Sequence, residues 1–381
     1  MAKKRLAGGD VEALLEGLSI LGTGGGGSPQ WGRAILEKDL AEGREIIIID
    51  PEDIADDVLV VSGGIMGSVK TLEKMNIGQL LEQWESSFEL LEATRVMEKY
   101  LGRKIDYVVP FEVGGLNTPV ILSLAARMGI STINGDALGR SAPETQMTSF
   151  IGHGISLTPM PLVDAVGNRI IVAEQVNSTF ADEIGRWMIT RGGGMGANNH
   201  YPMSGSQVKA AVIPHTITKA MEIGLRVLSA RREGRDPVSA VVKALNGWEL
   251  FRGKVATIQG EDKVGFYITN VTMVGQDAFA GQEAKLVIKN ETMALWIGRV
   301  LKAVFPDLVC MLEPQSGSGS GIMSVDIVAG KEMVLVGAPC HARLRACLQT
   351  EAGAHAFGGA RYGHPEIIYV PLEELRGKEV E

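Results

Sequence analysis

The chain has 381 residues, too many for one ordinary hydrophobic core and enough for two domains. Its balance of 45% hydrophobic and 22% charged residues is that of a folded chain, not a disordered one. A net charge of −8 with no long basic run argues against a nucleic-acid partner, and no apolar window reaches the roughly 18 residues of a membrane span.

Lys3-Lys4-Arg5 leads into Leu-Ala-Gly-Gly-Asp and not into an apolar stretch, so no signal peptide is expected. Three cysteines without a C-x-x-C pair fit a reducing cytoplasm and give no structural zinc signature. Asp10 to Leu21 has the spacing of an amphipathic helix, with Asp10 as its cap. It runs into Gly22-Thr23-Gly24-Gly25-Gly26-Gly27-Ser28-Pro29, and a helical pattern resumes from Trp31 to Glu42. Glu45 to Ile49 and Val58 to Val61 are short β-branched runs, candidates for buried parallel strands. The second opens into a glycine turn over Ser62 to Ser68.

A helix over 86–101 precedes a strand from Asp106 to Pro110 and the loop Phe111-Glu112-Val113-Gly114-Gly115-Leu116-Asn117. Thr118-Pro119 reads as a cap and first-turn proline for a helix ending near Met128, with Gly129 closing it. The strand Ser131 to Asn134 then enters Gly135-Asp136-Ala137-Leu138-Gly139-Arg140. This rhythm describes α/β units around a mainly parallel sheet, in which ligands sit beyond the carboxyl ends of the strands. Arg169 to Glu174 reads as a strand, and Ser178 to Thr190 and His215 to Arg232 as helices. From Gly247 onward Lys254 to Gln259, Val264 to Val274, Glu283 to Lys289, Leu308 to Leu312, Ile322 to Val328, Met333 to Val336 and Glu366 to Val370 read as strands. Thr292 to Phe305 and His341 to Gln349 read as helices among them. The expected class is therefore an N-terminal α/β domain over 1–190, a glycine-rich and helical bridge over 191–246, and a C-terminal β-rich domain over 247–381.

The glycine run Gly24 to Gly27, with Thr23 and Ser28, is a candidate nest for an anion or carbonyl, although no Walker lysine follows. Glu112 stands just past a buried strand, where burial can turn a carboxylate into a general base. Asp136 occupies the equivalent place after the next strand, so two acids can face one cleft. Arg140 can clamp a carboxylate or imide carbonyl, or else pair with Asp136 or Glu144. Asn117 is a candidate donor to a ring carbonyl. Six scattered histidines form no zinc motif, yet a divalent metal held by Asp136, Glu112 and a distant histidine stays open. Cys340 beside His341 suggests a thiol nucleophile, but a cysteine after a buried strand more often packs.

The glycine run, Phe111 to Asn117, and Asp136-Ala137-Leu138-Gly139-Arg140-Ser141-Ala142-Pro143-Glu144-Thr145-Gln146-Met147 together resemble the S-methyl thiohydantoin desulfurase family. Lys289-Asn290-Glu291 and the strand from Met333 extend the resemblance into the second half. It implies an α/β domain followed by a β-rich one, and a cyclic-amide substrate from hydantoin catabolism. Ser141 departs from the alanine common in the family, which allows a different pocket. The expected activity is hydrolytic removal of sulfur from C2 of a thiohydantoin by Glu112 or Asp136, with Arg140 and Glu144 in the catalytic group. A metal-dependent cyclic-amide hydrolase and a non-catalytic partner subunit are the rival readings. A homo-oligomer is expected on general grounds.

Overall fold

A computed structural model describes residues 3–67, 76–263, 266–314 and 317–377. The first sheet has eight strands. Four are parallel and adjacent: Ile47–Ile49, Ser131–Ile133, Tyr107–Pro110 and Leu59–Gly67. These are the short β-branched runs of the sequence, each ended by turn residues and covered by helices. Lys3–Arg5 extends one edge, and Met195–Ser204, Met160–Asp164 and Arg169–Val172 extend the other, all antiparallel.

Met195–Ser204 is a strand within the span 191–246 that reads as a glycine-rich and helical bridge. It pairs with Leu59–Gly67 on one side and Met160–Asp164 on the other, in the interior of the sheet. Its buried centre is Asn198-Asn199-His200, so no hydrophobic alternation marks it as a strand. Asn198 and His200 sit inside because they line a cavity, and Asn199 is turned to Thr94.

The second sheet has seven strands, all antiparallel, in the order Val300–Val304, Glu291–Ile297, Glu283–Lys289, Phe266–Gly275, Trp248–Lys263, Glu332–Ala338, Leu308–Leu312. The helix expected over Thr292 to Phe305 is instead a hairpin. Ile297 pairs with Val300, leaving Gly298-Arg299 as a two-residue loop with Gly298 at φ 58°. A run buried on both faces has no period that separates strand from helix, and the glycine was the deciding signal. Ile322 to Val328 is a short 3₁₀ turn at Ser324–Asp326, and Glu366 to Val370 forms no strand. Residues 68, 264 and 265 of other expected segments lie outside the described residues.

Helix boundaries moved slightly. The first helix is Gly8–Leu21 with Ala7 as cap, and Asp10 accepts from the Ala7 N–H at 2.9 Å from its third position. The helix after the Glu112 loop is Asn117–Met128, capped by Leu116; Thr118 bonds the loop before it instead. Helices Gly8–Leu21 and Thr216–Arg232 pack together between the sheets. One apolar cluster runs from Ile46 and Ile48 through Leu14, Leu18, Ile217 and Met221 to Leu308, Val334 and Val336. This shared core joins the two halves and aligns the loops at their seam.

Candidate functional site

A cavity of about 470 Å³ opens beyond the carboxyl ends of Leu59–Gly67 and Tyr107–Pro110, where an α/β sheet places ligands. Glycines 25 and 27 with Ser28 form one wall, Ala142 to Thr145 another, and Asn198 with His200 a third. Asn290 and Met323 to Asp326 close it from the second sheet's side.

Glu112 is the acid of this cavity that is buried without a cation against it. The strand Tyr107–Pro110 ends two residues before it, and the turn that follows folds it inward to 2% exposure. Its Oε1 accepts from Asn117 Nδ2 and its Oε2 from the Ala142 N–H, both at 2.6 Å. Burial, with Glu291 nearby, raises its carboxyl well above the ordinary range in spite of these donors. Asn117, expected to orient a ring, is thus engaged with Glu112, although both line the cavity.

Glu144 also faces the cavity but is neutralised. Lys289 Nζ lies 2.5 Å from Oε1, Arg361 pairs with Oε2, and Gln146 Nε2 donates to Oε2 at 2.9 Å. Its geometry is that of a structural anchor between the halves. On the wall nearby, Arg186 bonds Asp182 Oδ2 at 2.7 Å and the Pro143 carbonyl at 2.7 Å, and its guanidinium lies over Phe266.

Asp136 and Arg140 depart from expectation: neither lines this cavity. Asp136 is fully buried and turned into its own loop, where it accepts the N–H groups of Leu138 at 2.8 Å and Gly139 at 2.9 Å. Burial lifts it to about 7 against the pull of those donors. Arg140 donates to the carbonyls of Ser141 at 3.0 Å and Asp307 at 2.7 Å and stacks over Phe305. The loop after a strand can turn its side chains either way, and here it turns these two aside.

The glycine run is divided as well. Thr23 Oγ1 bonds Met311 and Ile322, and the Gly24 N–H bonds the Ile322 carbonyl, so both fasten the turn to the second sheet. The Gly26 N–H closes onto Gly22. Gly25, Gly27 and Ser28 reach the cavity, and Ser28 also caps the helix Pro29–Ala41. The backbone donors of Gly24 and Gly26 are therefore spent, which corrects the reading of the whole run as an anion nest.

Two residues escaped the sequence reading as site groups. His200 is buried on the cavity wall with Nδ1 unpartnered, edge-on to Phe111 and Tyr201. Burial lowers it to about 3, so its imidazole is neutral. Glu291 follows a tight turn at Asn290, whose φ is 60°. It lies beneath the glycine turn near Ser141 and Arg140, and burial raises its carboxyl to about 7 in spite of them. A Cβ on Gly25 would lie 2.0 Å from Glu291 Oε1, so only glycine leaves room for this carboxyl. The triplet Lys289-Asn290-Glu291 was visible in the sequence, but nothing there showed that it meets residues 25 and 144.

Among the described residues, no three His, Cys, Asp or Glu side chains are grouped to hold a metal ion, so a divalent metal finds no ready ligand set. Cys340 is no better placed as a nucleophile, since burial pushes its thiol up to about 12. No helix among the described residues is long and apolar enough to cross a membrane.

Comparison with known proteins covers nearly the whole chain. The N-terminal domain model of the S-Me-THD-like proteins matches residues 9–174, and their C-terminal domain model matches residues 176–372. Among solved structures, a crystal structure of a protein from Chromobacterium violaceum is similar at a TM-score of 0.72 and 21% identity. The match spans 97% of this chain and 100% of that one, and at such identity it shows the fold alone. No curated protein matches the chain.

Proposed function

Because this chain belongs to the S-Me-THD-like family, we propose that its 470 Å³ cavity binds an S-methyl thiohydantoin, or the parent thiohydantoin, and hydrolyses it at C2. The observation that carries this reading is Glu112: a buried carboxyl on the cavity wall, held by two donors and raised well above its ordinary range. A carboxylate of raised proton affinity is a stronger base toward water than an ordinary one.

Water attacks C2 as Glu112 accepts one of its protons. The C2–S bond then breaks; from the S-methyl ring one water proton ends on the ring nitrogen and the other on sulfur, and from the unmethylated ring both end on sulfur. Sulfur leaves as methanethiol, or as hydrogen sulfide from the unmethylated ring, and a hydantoin remains. Thiolates are good leaving groups, so the site has to supply a base and polar partners rather than a strong acid. Neutral His200, with Nδ1 open, and Asn198 are among the polar side chains that face the ring. Asp136 and Arg140 have no part in this chemistry, since they lie off the cavity.

Purified protein given S-methyl thiohydantoins and assayed for released thiol tests the reading. Glu112→Gln should keep its near-ultraviolet circular dichroism and lose turnover by about 10²–10⁴-fold, the usual share of general acid–base catalysis. Full activity in that variant removes Glu112 as base. No thiol or sulfide from any thiohydantoin removes the proposed reaction.

A further inference from the structure

A second hollow, of about 220 Å³, lies between the two halves and away from Glu112. Arg140, Thr216 and Lys219 line it from the α/β side, and Pro306 and Cys340 from the other. No acid is among its lining residues. Arg140 is only 1% exposed, and its Nε and Nη1 are engaged by backbone carbonyls while Nη2 has no hydrogen-bond partner. Thr216, the first residue of the helix Thr216–Arg232, is likewise buried, with its hydroxyl toward Asp136. Lys219, one turn on, is exposed and forms no ion pair among the described residues. Buried donors without partners are rare in folded proteins, and a helix N-terminus beside two cations attracts negative charge.

The neighbouring acids leave Arg140 Nη2 unpaired. Asp136 bonds Leu138 and Gly139 and also draws on Thr216 and Lys219, and Asp307 accepts from Cys340, Tyr369 and Leu372. Glu291 acts on Arg140 through space and makes no hydrogen bond to it. The rest of the wall is apolar, including Leu21, Ile213, Leu245 and Leu308. A cationic head site opening on an apolar wall selects an anion with a short hydrocarbon tail.

We infer that this interdomain hollow is a second binding site, for a short-chain carboxylate, with its carboxylate at Arg140, Thr216 and Lys219. Arg140 then serves as an anion clamp at a site separate from the Glu112 cavity. The assignment is independent of the reaction proposed for that cavity.

Titration calorimetry of the whole protein with butyrate, and separately with inorganic phosphate, tests it. Butyrate should bind saturably, and phosphate at least roughly tenfold more weakly, because phosphate has no tail for the apolar wall. Lys219→Ala, at an exposed position that the fold does not need, should weaken butyrate by roughly tenfold. Arg140→Leu should abolish binding, scored only if its circular dichroism is native. Glu112→Gln should bind butyrate as the parent does. Absence of saturable butyrate binding, equal binding of phosphate, no effect of Lys219→Ala, or loss of binding in Glu112→Gln would each overturn the assignment.

Discussion

The anchor at Glu144 allows a quantitative test of how the two halves are held in register. Its carboxylate is fully buried, Lys289 is 3% exposed, and the two are 2.5 Å apart. Removing one partner of such a pair costs about 3–5 kcal/mol when the other charge is stranded. Here Arg361 and Gln146 stay on the carboxylate, so Lys289→Met should cost less, about 2 kcal/mol, with the methionine still packing on Phe266. Arg361 is a quarter exposed, and its replacement by methionine should cost only about 1 kcal/mol. The double variant leaves Glu144 with Gln146 alone. Its loss should exceed the sum of the single losses by 1 kcal/mol or more, within the range seen for residues of one network. Adding Glu144→Gln to it should recover part of the loss, because the stranded charge is gone. Urea unfolding followed by tryptophan fluorescence gives all four values. A cost below about 0.5 kcal/mol for Lys289→Met, or strict additivity in the double variant, would refute the argument.

Gly25→Ala should lower stability by about 1–3 kcal/mol, since its Cβ would fall on the Glu291 carboxyl. Thermal melting checks this, and Glu291→Ala in the same chain should restore part of the loss; an unchanged melting temperature would show that the strand gives way freely. Asp136, lifted by burial from 3.8 to about 7, binds its proton more tightly folded than unfolded. Stability therefore falls as pH rises from about 4 to about 7, by an upper limit of roughly 4 kcal/mol from this group. Asp136→Asn should flatten that fall in urea midpoints taken from pH 4 to pH 8. An unchanged slope, or an equal loss of stability at every pH, would show that the Leu138 and Gly139 donors outweigh burial.

Much of the first half was legible because its signals are local. A β-branched run ended by turn residues makes a buried parallel strand, and Gly129 with φ 68° ends its helix as the sequence indicates. Glu112 was identifiable for the same reason, since its loop follows such a strand directly. Met195–Ser204 was missed because its centre is polar and buried, with Asn198 and His200 on the cavity and Asn199 turned to Thr94, against the pattern that marks strands. The hairpin at Gly298 was missed because two-sided burial erases the period on which the helix reading rested.

By its order of residues alone the chain determined an α/β half, a β-rich half and a buried acid at a strand end, since each depends on neighbours within a few positions. Tertiary structure decided which groups share a hollow. Asp136 and Arg140 stand close to Glu112 in sequence yet turn to other partners, whereas Glu291, Lys289 and His200 arrive from distant strands. Loop hydrogen bonds and the packing of two sheets on a common helical layer set those directions, and neither is encoded in local spacing.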